Sequence, residues 1–321
     1  MDKNAKIFVA GHRGLVGSAL CRKLLKDGYT NIIVRSHAQL DLCNQSALDE
    51  FFKLEKPEYV FFAAAYVGGI GLNKKHPADF LYKNVMMGFN TVDASYRYGV
   101  KKLINIASAC IYPKNASQPL KEEHLLTGAL DPAHDAYALA KISVIMMCQK
   151  YHLEHGMDFF SVVPNNLYGP GDTYDVEGGH VLPSMIKKFH DAKLSGKDEV
   201  VLWGDGSSCR EFLYNEDLAD AMCFLMEHCS ANELSPACFV NVGCGSDISI
   251  KELADKVMKL VYADVPERTC NIVWDTSKPN GMHKRLCDNS RLRELGWTPR
   301  VSLDEGLKLS YEDYIETVCK V

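Results

Sequence analysis

The sequence predicts an α/β fold in which a doubly wound parallel sheet is followed by a smaller α/β domain. Short apolar runs alternate with stretches of helical spacing through the first 170 of the 321 residues, the pattern of a parallel sheet covered by helices. The first apolar run leads into a glycine-rich turn at 11–17, as in Rossmann-type sheets. Beyond residue 170 the alternation becomes irregular. We therefore expect a Rossmann-type nucleotide-binding domain at 1–170, with chain crossings to the second domain, and a mainly substrate-binding domain at 171–321.

Each predicted element of the first half is an apolar or amphipathic run between turn residues. The β-rich runs predict strands at 7–10, 31–34, 59–64, 103–107 and 159–163. The amphipathic stretches predict helices at 15–26, 47–53, 78–98 and 137–155. Gly28 follows the first helix as a stop. Ligands of such a sheet bind at the carboxyl ends of its strands.

The second half predicts fewer and shorter elements. We expect strands at 200–203 and 239–242 and helices at 182–194, 250–261, 290–295 and 303–314. These elements suffice for a small domain that forms a lid on the first, but not for a separate enzyme.

Composition limits the classes of partner. The chain is 47% hydrophobic and 24% charged with a net charge of −5, so nothing attracts it generally to nucleic acid or to an anionic membrane. No apolar stretch reaches transmembrane length, and the N-terminal apolar run is too short for a signal peptide. The 12 Cys are scattered without zinc-type spacing, which predicts no metal site and reduced thiols in a cytoplasmic protein.

The glycine-rich turn is the first indication of function. Gly11, Gly14 and Gly17 directly follow a predicted strand and open a helix, so the backbone can approach a pyrophosphate and the helix N-terminus can donate N–H groups to it. Where an NAD site would have a carboxylate at the end of the second strand, this chain has Arg35. Together with Arg13, it favours the 2′-phosphate of NADP(H). The alternative interpretation is that Arg35 is a solvated residue at the end of the strand.

A second pattern lies downstream of Ser108. Tyr137 and Lys141 are four residues apart in a predicted helix, so their side chains share one face. We expect the ammonium to lower the pKa of the phenol toward neutrality, while the Ser hydroxyl hydrogen-bonds the same substrate oxygen. Combined with a dinucleotide site, this arrangement predicts hydride transfer to or from a carbonyl carbon.

Eight segments together form a recognisable set of motifs: 11–17, 64–70, 108–113, 137–141, 166–170, 180–183, 203–204 and 210–212. Through them the chain resembles, essentially from end to end, the extended short-chain dehydrogenase/reductase family and, within it, the GDP-L-fucose synthases. The segments 108–113 and 180–183 are much more specific than the glycine-rich turn.

This resemblance implies one site with two chemistries: proton exchange at C3 and C5 of GDP-4-keto-6-deoxy-D-mannose, and then reduction of C4 by NADPH to give GDP-L-fucose. Cys110 and His180 would be the base and acid of epimerisation, and Ser108, Tyr137 and Lys141 would carry the reduction. The GDP-sugar would be held by Lys188, Trp203, Arg210 and Asn280. NADP(H) would be contacted by Gly11, His12, Arg13, Gly14, Leu15, Val16, Gly17, Arg35, His37, Asp41, Leu42, Ala64, Ile106, Ala107, Ser108, Ala109, Tyr137, Lys141, Pro164, Asn165, Asn166, Leu167 and His180. The resemblance further implies a homodimer paired through the helices at 78–98 and 137–155.

The residue types support these roles but also have structural interpretations. Proton abstraction next to a ketone needs a base of moderate pKa, and a Cys near cations can ionise near neutrality. Alternatively, Cys110 is a small buried thiol, His180 a solvated or packing side chain, and Trp203 a contact between domains. Arg210 and Lys188 could be surface charges, although a diphosphate requires fixed cations in an acidic protein.

Three positions depart from the family pattern. Ala109 replaces a frequent second Ser, His37 replaces an Arg that often helps to bind the 2′-phosphate, and Asn280 replaces a frequent Asp that contacts the sugar nucleotide. The last leaves open a relative that reduces another GDP-4-keto sugar, such as a heptose, with or without epimerisation. Ala109 and Cys110 cannot supply the acid and base of a 4,6-dehydratase. A C4 epimerase needs no Cys–His pair, and a non-catalytic NADP-binding regulator would typically lack the Tyr or Lys.

Overall fold

A computed structural model describes residues 1–176, 179–278 and 280–319. Its strands are β1 (Ile7–Ala10), β2 (Ile32–Ile33), β3 (Tyr59–Phe62), β4 (Lys102–Ile106), β5 (Asp158–Pro164), β6 (Asn166–Tyr168), β7 (Glu199–Trp203), β8 (Cys209–Arg210), β9 (Phe212–Tyr214), β10 (Phe239–Val242), β11 (Ile248–Ser249), β12 (Asn271–Asp275) and β13 (Lys284–Arg285). Its α-helices are α1 (Leu15–Lys26), α2 (Gln45–Glu55), α3 (Ile70–Lys75), α4 (Pro77–Arg97), α5 (Asp135–His155), α6 (Val181–Ser195), α7 (Asn215–His228), α8 (Ile250–Val261), α9 (Ser290–Glu294) and α10 (Leu303–Thr317). Two short 3₁₀ turns cover Ala109–Ile111 and Glu122–His124.

A six-stranded parallel sheet with the order β10-β5-β4-β3-β1-β2 forms the centre of the molecule. Successive side chains of each strand point to opposite faces, so helices must cover both sides. On one face Val9 packs in a cluster with Leu20 of α1 and Met222 of α7, and on the other Phe8 packs with Phe52 of α2. The predicted doubly wound parallel sheet is confirmed.

The elements predicted for the first half agree with those observed to within a few residues at each end. The strand predicted at 239–242 also forms, but it lies at the edge of the central sheet, hydrogen-bonded to β5. Helix α7, for which the sequence analysis made no prediction, covers the same sheet. Residues 215–242 therefore cross back to the first part of the fold. The predicted division into two domains at residue 170 stays a prediction, and these residues are one of its chain crossings.

The remaining C-terminal elements form a second core. Helices α6, α8 and α10 pack around Phe189, Leu253 and Tyr314. Two small sheets accompany them, one pairing β7 with β12 and one with the order β11-β8-β13. Ser249 begins α8 with a capping box to Glu252, an arrangement that satisfies two otherwise unpaired N–H groups.

A buried carboxylate connects the two parts. Glu211 accepts hydrogen bonds from the side-chain amide of Asn165 (2.9 Å) and from the backbone amides of Cys287 (2.9 Å) and Gly245 (2.8 Å). Burial raises the pKa of this carboxyl, and the three donors oppose the rise. The segments that follow β5, β10 and β13 are thus fixed around one side chain.

Three further observations concern membranes, metal ions and the thiols. Within the described residues, no helix is long and apolar enough to cross a membrane. The same part of the chain has no group of three or more His, Cys, Asp or Glu side chains that could hold a metal ion. All 12 Cys are free thiols.

Candidate active site

A cavity of about 1000 Å³ lies at the carboxyl ends of the central strands, between them and elements of the C-terminal part. All the predicted site residues line it except Gly17, Cys110, Lys188, Trp203, Arg210 and Asn280. Most of the predicted residues therefore lie around one cavity, and their contacts with cofactor and substrate stay predictions.

The glycine-rich turn has the geometry of a pyrophosphate cradle. Gly11 has a φ of +87°, and a Cβ there would lie 2.8–2.9 Å from the backbone of Ala63 and Ala64. Gly14 begins α1 without a side-chain cap, and the first turn of α1 has no acidic residue, so its N–H groups are available to an anion. The Nδ1 atom of His12 is buried without a hydrogen-bond partner in the protein. These features fit the diphosphate of a dinucleotide.

Gly17 does not line the cavity, and its contact with the cofactor stays a prediction. It is buried behind Gly11, and a Cβ at this position would lie 2.1 Å from the Gly11 carbonyl oxygen. The structure therefore places Gly17 as a packing contact that lets α1 approach the turn, with no part of it in the cavity wall.

The cations predicted to bind the 2′-phosphate are only partly available. Arg35 lies in the cavity wall, but its guanidinium pairs with Glu55 at 2.6 Å and donates to the Val34 carbonyl at 2.9 Å. His37 lies 3.8 Å from Asp41. Arg13 is exposed at the same end of the cavity. Arg35 can bind the 2′-phosphate only in competition with its ion pair to Glu55.

Ser108, Tyr137 and Lys141 come together at the other end. Ser108 follows β4, and α5 carries Tyr137 and Lys141 one turn apart. The Lys141 ammonium donates to the Ile106 carbonyl (2.8 Å) and lies 5.6 Å from the centroid of the Tyr137 ring.

The electrostatic expectation for this pair is wrong in this structure. Burial raises the pKa of the Tyr137 phenol, with a smaller contribution from the Cys110 thiol. Burial also lowers the pKa of Lys141 to about 8. The charge of the ammonium can be inferred from the sequence, whereas the desolvation of both groups depends on the fold and is the larger effect here.

The proposed epimerisation pair occupies two different environments. Cys110 lies in the 3₁₀ turn after Ser108, is only 5% exposed, and donates its backbone N–H to the Ser108 hydroxyl at 3.5 Å. Burial raises the pKa of its thiol, against lowering by the Ser108 hydrogen bond and by the charges of Arg285 and Lys141. Ionisation near neutrality therefore does not follow from nearby cations alone. His180 is exposed at the N-terminus of α6 and lines the cavity.

The predicted GDP-sugar residues lie outside the cavity wall. The Lys188 ammonium donates to the Val201 carbonyl at 3.0 Å, and burial lowers its pKa. Trp203 is 57% exposed and has the Lys278 ammonium 5.7 Å from its ring centroid. The Asn280 side-chain oxygen accepts from the Asp205 amide at 2.8 Å. Burial and Arg285 lower the pKa of Arg210 to about 10.

Two residues that the sequence analysis did not single out belong to the site. Arg285 lines the cavity beside the reacting end, and His134 precedes α5 within 3.4 Å of its guanidinium. Arg285 sits in a two-residue strand, which gives no periodicity to detect. His134 follows a turn and stands three residues before Tyr137, a position that could have indicated a neighbour of the catalytic helix.

Comparison with known proteins agrees with this geometry. The model of the NAD dependent epimerase/dehydratase family matches residues 7–243. The chain is 48% identical over 318 residues to GDP-L-fucose synthase 1 of Arabidopsis thaliana, covering 99% of this chain and 95% of that protein. It is 40% identical to GDP-L-fucose synthase of Escherichia coli (strain K12), with 97% of each chain covered. The solved structure of a GDP-mannoheptose C4 reductase from Campylobacter jejuni with NADP bound matches with a TM-score of 0.89 and 38% identity, over 98% of this chain and 99% of that one.

Proposed function

The chain belongs to the NAD dependent epimerase/dehydratase family and, within it, to the GDP-L-fucose synthases, and we propose that it epimerises GDP-4-keto-6-deoxy-D-mannose at C3 and C5 and reduces C4 with NADPH. The observation that carries this proposal is the convergence of Ser108, Tyr137, Lys141 and His180 on one cavity that begins at the glycine-rich turn. NADP(H) supplies the hydride when it is bound at Gly11–Gly14 and along the wall formed by Pro164 and Leu167.

In the reduction, Tyr137 is the proton donor to the C4 oxygen. The raised pKa of its phenol keeps the group protonated, as a donor must be before the reaction. Ser108 holds the same oxygen by a hydrogen bond. Lys141 stabilises the negative charge that remains on the phenol after transfer, and its bond to the Ile106 carbonyl fixes its position.

In the epimerisation, Cys110 is the base and His180 the acid. The Cys110 thiolate removes the proton from the carbon next to the ketone, so that a C–H bond breaks, an S–H bond forms and the electron pair moves to the carbonyl oxygen. His180 then delivers a proton to the same carbon from the opposite face. Cys110 is buried and His180 is exposed, so the proposal assigns the base to the protein interior and the acid to the solvent side of the site.

A second candidate is the reduction of another GDP-4-keto sugar. It is favoured by the similarity to the heptose reductase and by Asn280, whose side-chain oxygen is occupied by the Asp205 amide and whose amide replaces the charge of a carboxylate. Such an enzyme would use the same Ser108, Tyr137 and Lys141.

We also place the enzyme in the cytoplasm as a homodimer. Its 12 free thiols suit a reducing compartment. Helices α4 and α5 pack on each other and leave exposed apolar side chains, among them Tyr82, Phe89, Leu139 and Leu153. A second copy that packed on these helices would bury them in a four-helix interface.

One assay tests the proposed function. The wild-type enzyme is mixed with GDP-4-keto-6-deoxy-D-mannose and NADPH, and NADPH oxidation is followed while the product is identified by NMR. GDP-L-fucose is the expected product, and a D-configured 6-deoxy sugar or no oxidation would contradict the proposal. Tyr137→Phe is the matched variant: it should stop NADPH oxidation while deuterium from the solvent still enters at C3 and C5.

A further inference from the structure

Arg285 is a cation that the mechanism above does not use. It lies in β13, in register with Arg210 of β8, and its carbonyl accepts from the Asn165 side chain (3.1 Å) and the Glu211 amide (3.4 Å). The backbone that carries it is therefore fixed from two sides. Arg285 lines the reacting end of the cavity, whereas Arg210 does not.

The guanidinium of Arg285 is in direct contact with two side chains that carry no negative charge. Its Nη2 atom lies 3.4 Å from the Nε2 atom of His134 and 2.7 Å from the sulfur of Met282. Because a guanidinium can only donate, the His134 Nε2 atom must accept and this imidazole is neutral. Burial, and then the charge of Arg285, lower the pKa of His134. The Glu211 carboxylate is directed to other donors, and in the described part of the chain Arg285 has no ion pair with a carboxylate.

An uncompensated, partly buried cation calls for an anion close to it. Arg285 and Ser108 line the same cavity, and the 3₁₀ turn that begins after Ser108 carries Cys110. The charge of Arg285 lowers the pKa of the Cys110 and Cys287 thiols, of His134 and of Arg210. Of these groups, Cys110 is the one in the turn that follows Ser108, and it must become an anion for proton abstraction. Lys141, the other cation that acts on this thiol, is held by the Ile106 carbonyl and loses its charge more readily than an Arg.

We propose that Arg285 is the positioning residue that stabilises the thiolate of Cys110 and so makes it usable as the base of epimerisation. This inference rests on the proposed function, because it assigns a partner to the base of that same site. His134 and Met282 hold the guanidinium without neutralising it, so its charge remains available to the thiolate. The alternative function, that Arg285 joins Arg210 in holding the diphosphate of the substrate, makes different predictions.

The test compares Arg285→Gln, Arg285→Lys and Arg210→Gln with the wild type. The thiolate of Cys110 is titrated by its ultraviolet absorbance, as the difference between each enzyme and the same enzyme carrying Cys110→Ser. Separately, deuterium entry at C3 and C5 is measured against pH with NADP⁺ present, so that no reduction takes place. Thermal unfolding and NADP⁺ binding show that each variant is folded.

We expect the midpoint of the Cys110 titration to rise by about one pH unit or more in Arg285→Gln, as when an opposite charge is removed from a neighbouring site. Deuterium exchange near pH 7 should fall about tenfold or more, and the pH profile should move to higher pH by the same amount. Arg285→Lys, which keeps a cation, should restore most of both. Arg210→Gln should raise the KM for the GDP-sugar and leave the titration midpoint unchanged.

Two results would overturn the inference. One is an unchanged midpoint and pH profile in Arg285→Gln together with weaker binding of GDP, which would assign Arg285 to the diphosphate. The other is a folded Arg285→Lys enzyme in which the midpoint of the Cys110 titration rises as much as in Arg285→Gln. That result would show that the shape of the Arg285 side chain matters and its positive charge does not. If the wild type shows no deuterium exchange, the proposed function fails, whereas the thiolate titration still decides on Arg285.

Discussion

Replacing Gly17 by Ala tests whether this glycine packs α1 against the turn or contacts the cofactor. The added Cβ would lie 2.1 Å from the Gly11 carbonyl oxygen, 2.6 Å from its carbonyl carbon and 2.9 Å from the His12 Cα. All three are backbone atoms of a turn that is itself held against Ala63 and Ala64, so α1 has to move away. Such overpacking typically costs about 1–3 kcal/mol.

The displacement should also weaken cofactor binding. The N–H groups at the start of α1 would no longer reach the pyrophosphate, and the loss of one charge-assisted contact of about 1.5–3 kcal/mol lowers affinity roughly 10- to 100-fold. Gly17→Ala is therefore expected to lower both the free energy of unfolding, measured by denaturant titration, and NADPH affinity, measured by calorimetry.

Gly14→Ala is the matched control within the same turn. A Cβ there meets only the Gly11 carbonyl oxygen at an ordinary 3.5 Å, so stability should stay close to that of the wild type even if NADPH binds less well. Gly71→Ala, with nothing within 4 Å of the added carbon, should change neither quantity by much. A Gly17→Ala enzyme as stable as the Gly14→Ala enzyme would refute the packing argument.

Three further expectations concern the chemistry. Cys110→Ser should reduce deuterium exchange at C3 and C5 by about 10²–10⁴-fold, because a hydroxyl is too weak a base. Hydride transfer should persist and yield a D-configured 6-deoxy product. If NMR shows the L-sugar formed at a near wild-type rate, this Cys is a packing residue. Arg13→Ala should lower the ratio of kcat/KM for NADPH to that for NADH about tenfold or more. The effect should be larger than that of Arg35→Ala, because Arg35 is paired with Glu55. Equal effects of the two substitutions would contradict this ranking of Arg13 above Arg35. Because Lys141 has a pKa of about 8 and acts as the cation, the rate of reduction should fall as pH rises through about 8, and a flat kcat profile between pH 7 and 9 would exclude this role.

Some elements could be predicted from the sequence because a single local pattern determines them. Helix α1 agrees in both bounds with its prediction, since its apolar positions recur at helical spacing between two glycines. Helix α7 was missed because most of its residues are buried, so only a narrow polar stripe at Glu216, Asp220 and Glu227 marks the helical period. The strand at 239–242 was found, but its partner β5 depends on tertiary packing that no local pattern encodes.

The candidate site shows the same limit. The cavity wall follows from motifs at strand ends, which the fold brings to one edge. The pKa of Tyr137 depends on how deeply it is buried, and the availability of Arg35 depends on Glu55, twenty residues away. Arg285 was missed for a related reason, because its place in the cavity wall depends on pairing between two short strands of the C-terminal part.

The return of residues 215–242 to the central sheet has a consequence for how the protein is made. A ribosome releases the chain from its N-terminus, and until residue 242 has emerged β5 is an unpaired edge and α1 lacks its neighbour α7. Unpaired edges and exposed apolar faces favour aggregation of nascent chains. The nucleotide-binding part therefore cannot mature ahead of the rest, and a gene cut at residue 170 should not yield two separately stable halves.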